Sequence, residues 1–254
     1  MATQKKSPTL SLSVSRVNLF EQCQAKYYYK YILGLPDAPT YHSLAGSFLH
    51  KVLELFVVEY LKTNLIKESL QHAYIAAKQD PEIQPHITSE MTKEVKGWVQ
   101  NFAKKLQKDP SIANNFVAAE TRFRFQIEGT KIFINGFIDR IDTVEDDSIR
   151  IIDYKTTGRS DLLKPFQLIV YSIPTQIKYP NKKILASYEL VKKDFQRQDY
   201  TITDEDRKAA IDKIVSVGEQ ILNLTSLKER TAWKKNPSYL CHWCPYRVQC
   251  YSDN

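Results

Sequence analysis

Apolar positions along the chain follow two periods, and the change from one to the other divides the sequence. From Ser13 to Leu33 the segment SVSRVNLFEQCQAKYYYKYIL is dense in apolar and aromatic residues, with Ser15 placed as an N-cap. Val17, Leu19, Phe20 and Cys23 are available there for one helical face. Gly34 to Thr40, with Pro36 and Pro39, reads as a loop. Leu44, Phe48, Val52, Leu55, Phe56 and Glu59 recur at three- and four-residue spacing and predict a core-facing helix from about Ser43 to Lys62. Residues 63–115 keep a helical but more polar pattern, broken at Pro81, Pro85 and Pro110. At Ala119 the period becomes two: Ala119, Thr121, Phe123, Phe125 and Ile127 alternate with Glu120, Arg122, Arg124 and Gln126, as in a strand.

A turn at Glu128-Gly129-Thr130 leads to a second strand, roughly Lys131 to Thr143. A turn at Glu145 to Ser148 then leads to a third, Ile149 to Thr156. The three form an antiparallel meander. A helix from about Leu163 to Ile173, stopped by Pro174, and a strand from Ile184 to Val191 follow. Thr203 and Asp206 read as a capping box opening a helix to about Leu227. Strands followed by helices around one core predict an α/β fold. Its centre is a mixed sheet flanked by helices, with 63–115 as a helical insertion. Residues 1–12 read as a disordered tail, 13–254 as a single domain, and 237–254 as a cysteine-rich terminal segment.

Composition narrows the function classes. The 254 residues carry a formal charge of +7, which leans toward a polyanionic partner. No stretch approaches the ~18 apolar residues of a membrane span. The basic start Met-Ala-Thr-Gln-Lys-Lys has no apolar run behind it, unlike a signal peptide. The expectation is a cytoplasmic, intracellular protein with no membrane partner, whose cysteines are reduced and serve as ligands, catalysts or packing rather than disulfides.

The densest chemistry lies in NGFIDRIDTVEDDSIRIIDYKTTG, from Asn135 to Gly158. Asp153 and Lys155 are two apart on a strand, so they leave the same face. A hairpin turning near Asp146 would bring Asp139 opposite them. Two carboxylates can hold a hard divalent cation, Mg²⁺ or Mn²⁺, and a lysine can orient water or neutralise charge on a phosphate. Ordinary ion pairs on an exposed face are the plain alternative. Against that stands the apolar setting of Ile138, Ile141, Ile149, Ile151 and Ile152, among which an unpartnered charge is costly. His50, one turn after Gly46 on the 43–62 helix, is a weaker candidate, since a lone helical histidine is commonly structural. The absent side chain at Gly46 would let a backbone or ligand approach. Gln167 and Tyr171, four apart on the next helix, could touch a phosphate or the lysine, or form a surface pair.

Cys241, Cys244 and Cys250 lie within ten residues of one another, and Cys23 sits near the other end of the chain. Four thiolates close either a tetrahedral zinc site or an iron–sulfur cluster. The single remote ligand favours iron–sulfur. His242 could replace Cys23 in a local zinc site, but it adjoins Cys241. Either centre would tie almost the whole chain into one loop.

These pieces resemble the RecB-like branch of the PD-(D/E)XK nucleases. GFIDRID and IIDYKTTG look like the branch's second and third motifs. SVSRVNLFEQCQAKYYYKYI is similar to its opening segment, AGSFLHKVLELF to its first-motif helix, and QLIVY to its Gln-x-x-x-Tyr motif. One cysteine before the core and three after it is the pattern of the iron–sulfur subgroup, which includes the AddB C-terminal domain and CRISPR-associated adaptation nucleases. The resemblance implies a metal-dependent DNA nuclease acting in repair, recombination or related processing, with exonuclease action on single strands or DNA ends. His50, Asp139 and Asp153 would hold Mg²⁺ or Mn²⁺, and Lys155 would act on the water or the transition state. Gln167 and Tyr171 would support DNA binding or lysine placement, and Cys23, Cys241, Cys244 and Cys250 would hold a [4Fe–4S] cluster. Implied partners are DNA and a helicase or CRISPR-adaptation protein.

The chain departs from the pattern in having no proline before Asp139 and no Walker-type phosphate loop. Glu120, where the branch often has an acid, is a supporting residue or a surface ion pair. Tyr27, Tyr28, Tyr29, Tyr31, Trp233 and Trp243 are candidates for stacking on unpaired bases, most of them more suited to a core. The rivals are a catalytically silent or partner-dependent iron–sulfur DNA-binding subunit, and a zinc-stabilised protein that does not touch nucleic acid.

Overall fold

A computed structural model describes residues 9–145 and 147–252. Its strands are β1 (Leu10–Leu12), β2 (Phe116–Gln126), β3 (Ile132–Val144), β4 (Ser148–Lys155), β5 (Lys183–Leu190) and β6 (Gln196–Tyr200). The chain divides into two compact units, neither continuous in sequence. The larger comprises Pro39–Phe123 and Phe137–Arg207, the smaller Met1–Ala38, Arg124–Gly136 and Lys208–Asn254. Both boundaries in the middle of the chain fall inside or beside strands, so no linker composition marks them.

In the larger unit β3, β4, β5 and β6 lie side by side. β3 runs antiparallel to β4, β4 parallel to β5, and β5 antiparallel to β6. This is the expected mixed sheet of an α/β fold. The parallel β4–β5 pair needs a crossover, supplied by the helix Phe166–Lys178, which packs on both strands. That helix was expected to stop at Pro174 but runs four residues past it. Proline removes one backbone donor, and the hydroxyl of Thr175 adds a bond to the Tyr171 carbonyl in the same turn (2.8 Å). The opposite side chains of β4, Ile152 and Tyr154, join the main core with Phe48, Val52, Phe56 and Phe102. Those come from the helices Tyr41–Thr63 and Ser89–Lys108. Thr40 caps the first of these, its hydroxyl accepting from the Ser43 amide. Residues 63–115 carry the helices Ile66–Lys78 and Ser89–Lys108, whose apolar residues pack into the same core.

Inside that core sits a buried ionic cluster. Arg140, fully buried, donates to both oxygens of Asp142, to Glu189 and to the Tyr154 hydroxyl, while Lys105 reaches Glu189 at 3.0 Å. Burial alone would raise the Glu189 pKa, but Arg140 and Lys105 hold it below the usual range.

In the smaller unit β1 pairs in parallel with the start of β3, Leu10 opposite Ile132. Residues 10–12 were expected within a disordered tail; they form a strand because Leu10 and Leu12 add to a sheet that already exists. Residues 1–8 and Asp146, the expected hairpin turn, lie outside the described residues. The first helix, Val14–Gln22, is capped by Ser13 rather than Ser15: the Ser13 hydroxyl accepts from the Arg16 amide at 3.3 Å. β6 was also missed; its residues Gln-Arg-Gln-Asp-Tyr have no apolar alternation, as suits an edge strand. The expected capping box is present, with the Thr203 amide donating to Asp206 and the Asp206 amide to Thr203 Oγ1. Among the described residues no helix is long and apolar enough to cross a membrane.

Candidate metal and active site

The site forms at the end of β4 in the larger unit. β4 and β3 pair antiparallel with Arg140 opposite Ile152, so the register carries Asp139 to the level of Asp153. The Tyr154 amide donates to Asp139 Oδ2 at 2.7 Å, and His50 Nδ1 lies 3.3 Å from the same oxygen. The His50 ring meets Tyr154 edge-on at 5.9 Å. His50 is placed by its helix, one turn past Gly46. A methyl at Gly46 would meet only the Thr156 side chain, its Oγ1 at an ordinary 3.6 Å and its Cγ2 at 3.9 Å, so the close approach expected there is not required.

Asp153 is buried. Its Oδ1 accepts from Gln167 Nε2 at 2.6 Å. Its Oδ2 lies 2.6 Å from Lys155 Nζ as an ion pair, yet without the alignment of a hydrogen bond. Gln167 also accepts from Lys155 Nζ at 2.8 Å and donates to the Tyr171 hydroxyl at 2.7 Å. One amide thus fixes the aspartate, the lysine and the tyrosine together. The 167/171 spacing sets both side chains on one helical face, which the crossover helix turns toward β4. Lys155 also sits 5.1 Å from the Tyr188 ring.

The donors that converge most tightly are His50, Glu120 and Asp139, whose ligand atoms all lie within 4.8 Å of one another. Glu120 therefore joins two of the three residues expected to hold a metal, whereas Asp153 faces Lys155 and Gln167. The sequence offered an acid at this place but no sign of its geometry. Glu120 sits in β2 with φ of +43°, a left-handed conformation uncommon for a non-glycine residue, which re-aims its side chain.

Electrostatics separate the acids. Burial pushes the Asp153 carboxyl up to about 6, with Asp139 adding to it. Burial also lifts Glu120 to about 7, helped by Asp139 and Glu54. Burial would raise Asp139 as well, but His50, the Tyr154 amide and Lys155 reverse that and hold it below the usual range. His50 is opposed by burial, yet Asp139 draws it up to about 9. A cluster of three carboxylates with one buried oxygen lacking a hydrogen bond is a donor set suited to a hard divalent cation.

The cysteines gather in the smaller unit. The segment 234–236 is tied to 22–25: the Ala25 amide donates to the Lys234 carbonyl (3.0 Å), the Lys234 amide to Gln24 (3.1 Å), and Asn236 to the Gln22 carbonyl (2.8 Å). Cys23, Cys244 and Cys250 pack against the same small core of Ala25, Tyr29 and Tyr246. Burial raises the Cys250 thiol, Lys235 and Arg230 lower it, and Cys23 and Cys244 act on it as close neighbours. Cys241 accepts from the Ser238 amide at 3.4 Å. All four cysteines are free and half-buried. Of the stacking candidates, Tyr27, Tyr29 and Trp233 are buried in the core, while Trp243 is exposed.

Comparison with known proteins bears on this arrangement. The family model of the PD-(D/E)XK nuclease superfamily matches residues 11–251. Among curated relatives, an ATP-dependent helicase/deoxyribonuclease subunit from Streptococcus uberis is 28% identical over 180 residues, 68% of this chain and 16% of that protein. The Streptococcus agalactiae serotype Ia protein of the same name is 28% identical over 178 residues, 64% of this chain and 16% of its own length. The chain thus spans about a sixth of the length of these relatives. A crystal structure from Eubacterium rectale, provisionally named an exonuclease, superposes with a TM-score of 0.51 at 14% identity, over 93% of this chain and 87% of its own, a likeness of fold. With the family model matched across residues 11–251, nearly its whole length, the chain belongs to the PD-(D/E)XK nuclease superfamily.

Proposed function

We propose that the protein is a metal-dependent DNA nuclease that hydrolyses phosphodiester bonds, acting as an exonuclease on single strands or DNA ends within the cell. The observation that carries this reading is the Asp153–Lys155–Gln167 arrangement beside the His50, Glu120 and Asp139 donors. Asp139 and His50 would hold Mg²⁺ or Mn²⁺, with Asp153 at the same site by the family pattern and Glu120 as the additional ligand that the geometry supports. When bound, such a cation supplies Lewis-acid charge to the phosphoryl group and activates water.

The remaining work falls to the chain's own side chains. Lys155, held by Asp153 and Gln167, presents an ammonium to the charge that develops on the phosphate. Gln167 keeps Lys155 and Asp153 in register, and Tyr171 fixes Gln167 in turn. Bases need not be read, since positioning and charge dominate phosphoryl chemistry.

We also propose that Cys23, Cys241, Cys244 and Cys250 hold a [4Fe–4S] cluster. Four free thiols, three of them (Cys23, Cys244 and Cys250) packed against one small core, support it. The helicase/deoxyribonuclease subunits among the relatives support a helicase partner for this chain.

The test is cleavage of end-labelled single- and double-stranded DNA by cluster-loaded protein, with Mg²⁺ or Mn²⁺ and with chelator. Metal-dependent cleavage that falls by about 10²–10³-fold or more in Lys155→Ala, with DNA binding retained, is the expected result. No cleavage of either substrate would shift the reading to a silent or partner-dependent DNA-binding protein.

A further inference from the structure

Tyr188 is a buried tyrosine in a row of the larger unit that otherwise serves packing. Ile184, Ala186, Tyr188 and Leu190 leave one face of β5, and the other three are aliphatic. β4 and β5 run parallel with Asp153 opposite Tyr188, so the ring stands on the face that carries Asp153 and Lys155. The Lys155 ammonium lies over that ring, 5.1 Å from its centroid, within reach of a cation–π contact. At its far end the Tyr188 hydroxyl donates to the Lys164 carbonyl at 2.9 Å. Lys164 directly precedes Pro165, the cap of the helix Phe166–Lys178 that carries Gln167. Tyr200 meets the Tyr188 ring edge to face at 5.6 Å and donates its own hydroxyl to the Leu163 carbonyl at 3.4 Å. One side chain therefore touches both the lysine and the approach to the helix whose glutamine holds that lysine.

From this we infer that Tyr188 is a positioning residue: its ring is a shelf for the Lys155 ammonium, and its hydroxyl fixes the start of the helix bearing Gln167. The inference rests on the nuclease reading, in which Lys155 meets the phosphate, and adds the residue that keeps it in place. An ammonium has three N–H donors and ends a flexible four-carbon stem. Gln167 accepts from one donor, and Asp153 stands close by as an ion pair. A further polar partner would take a donor that a phosphate oxygen needs. An aromatic face attracts the cation through its quadrupole, so it restrains the stem and leaves that donor free. Tyr188 itself moves no proton. Burial pushes its phenol above the ordinary range, with Asp153 adding to it, and the hydroxyl is already engaged with Lys164.

Nuclear magnetic resonance of the whole chain, labelled with ¹³C-lysine and free of divalent metal, reads the contact without any cleavage. The Lys155 ε-methylene signal, identified by its loss in Lys155→Arg, should lie upfield of its position in free lysine, because an aromatic ring shields it. Tyr188→Phe should keep that shift. Tyr188→Met, which keeps most of the bulk without the ring, should remove it. A parent signal at the free-lysine position overturns the shelf and needs no variant at 188; a shift that survives Tyr188→Met overturns it too. Cleavage of end-labelled DNA with Mn²⁺ reads the consequence. Tyr188→Met should lower kcat about tenfold with KM unchanged, as for a contact that matters in the transition state, while Tyr188→Phe stays within about threefold of the parent. Equal losses in the two variants, or a change confined to KM, overturn the positioning role. A parent that shows the shifted signal but cleaves no DNA sinks the nuclease reading and leaves the ring contact standing.

Discussion

In the larger unit the groups around the proposed metal site have protein partners of their own. Asp139 accepts from the Tyr154 amide and Asp153 from Gln167, while Gln167 also holds Lys155 and Tyr171. Behind them lie a buried ionic cluster and a broad aromatic and aliphatic core. In the smaller unit Cys23, Cys244 and Cys250 rest on a core of three buried residues, and Cys241 and Cys250 lie on two short helices. The contrast teaches where each site's order comes from. A site on packed strands is preorganised by the fold. A site on a segment with little core would draw its order from the proposed ligation, because metal binding there would be folding free energy.

The sharpest way to break that comparison is to remove a proposed ligand from each unit. Cys250→Ser or Cys23→Ser should cost the visible absorbance near ~400 nm expected of the proposed cluster and lower the melting temperature by roughly 10 °C or more. Glu120→Gln should leave the melting temperature of metal-free protein unchanged or raise it, because the buried charge is removed. A cysteine variant as stable as the parent, followed by calorimetry, would show that the smaller unit does not depend on its ligands.

A subtler distinction appears in pH. In the folded protein Glu120 lies at about 7 against an ordinary 4.5, and Asp153 at about 6 against 3.8. Folded values above the unfolded ones mean that these groups favour the fold at low pH and lose that contribution as pH rises through 6 and 7. His50, raised from 6.5 to about 9 despite burial, contributes below 6.5 and loses its contribution toward 9. The contribution of Asp139 has the opposite sign and is lost only below its ordinary 3.8. Metal-free protein should therefore melt at lower temperature as pH goes from 5 to 9. Stabilisation by Mn²⁺ should grow over the same range, because the ligands must shed their protons to bind it. Thermal scans at several pH values, with and without Mn²⁺, read both trends, and a flat metal-free profile would contradict the burial of these acids.

The smallest effects come from two glycines. At Gly218, in the smaller unit, an added methyl would sit 2.4 Å from the end of the Ile132 side chain. Gly218→Ala should cost about 1–2 kcal/mol, limited by how far Ile132 can turn. Gly46→Ala, with ordinary contact only, should be neutral or stabilising by up to about 1 kcal/mol, as expected for alanine in a helix. Denaturant melts of the two variants separate these cases.

Much of this was legible in the chain itself. Two-residue alternation located β2 and the start of the meander, and three-and-four spacing located the 41–63 helix, because both periods are local consequences of backbone geometry. The spacing of Asp153 and Lys155 guaranteed a shared face, and that of Gln167 and Tyr171 a shared helical side. Capping at Thr203–Asp206 needed no tertiary context either. Strands β1 and β6 were not legible: three residues and a polar edge have no period of their own and become strands only when a neighbouring strand offers its backbone. The two units are likewise hidden, since each is assembled from separate stretches of sequence. The sequence by itself determined which chemistry the chain carries: carboxylates and a lysine on strands, and four thiols at two ends. Only the tertiary structure decided that Glu120, through a left-handed backbone turn, joins His50 and Asp139, and which aromatics face solvent. Both depend on long-range packing and one residue's dihedral angle, which no local pattern encodes.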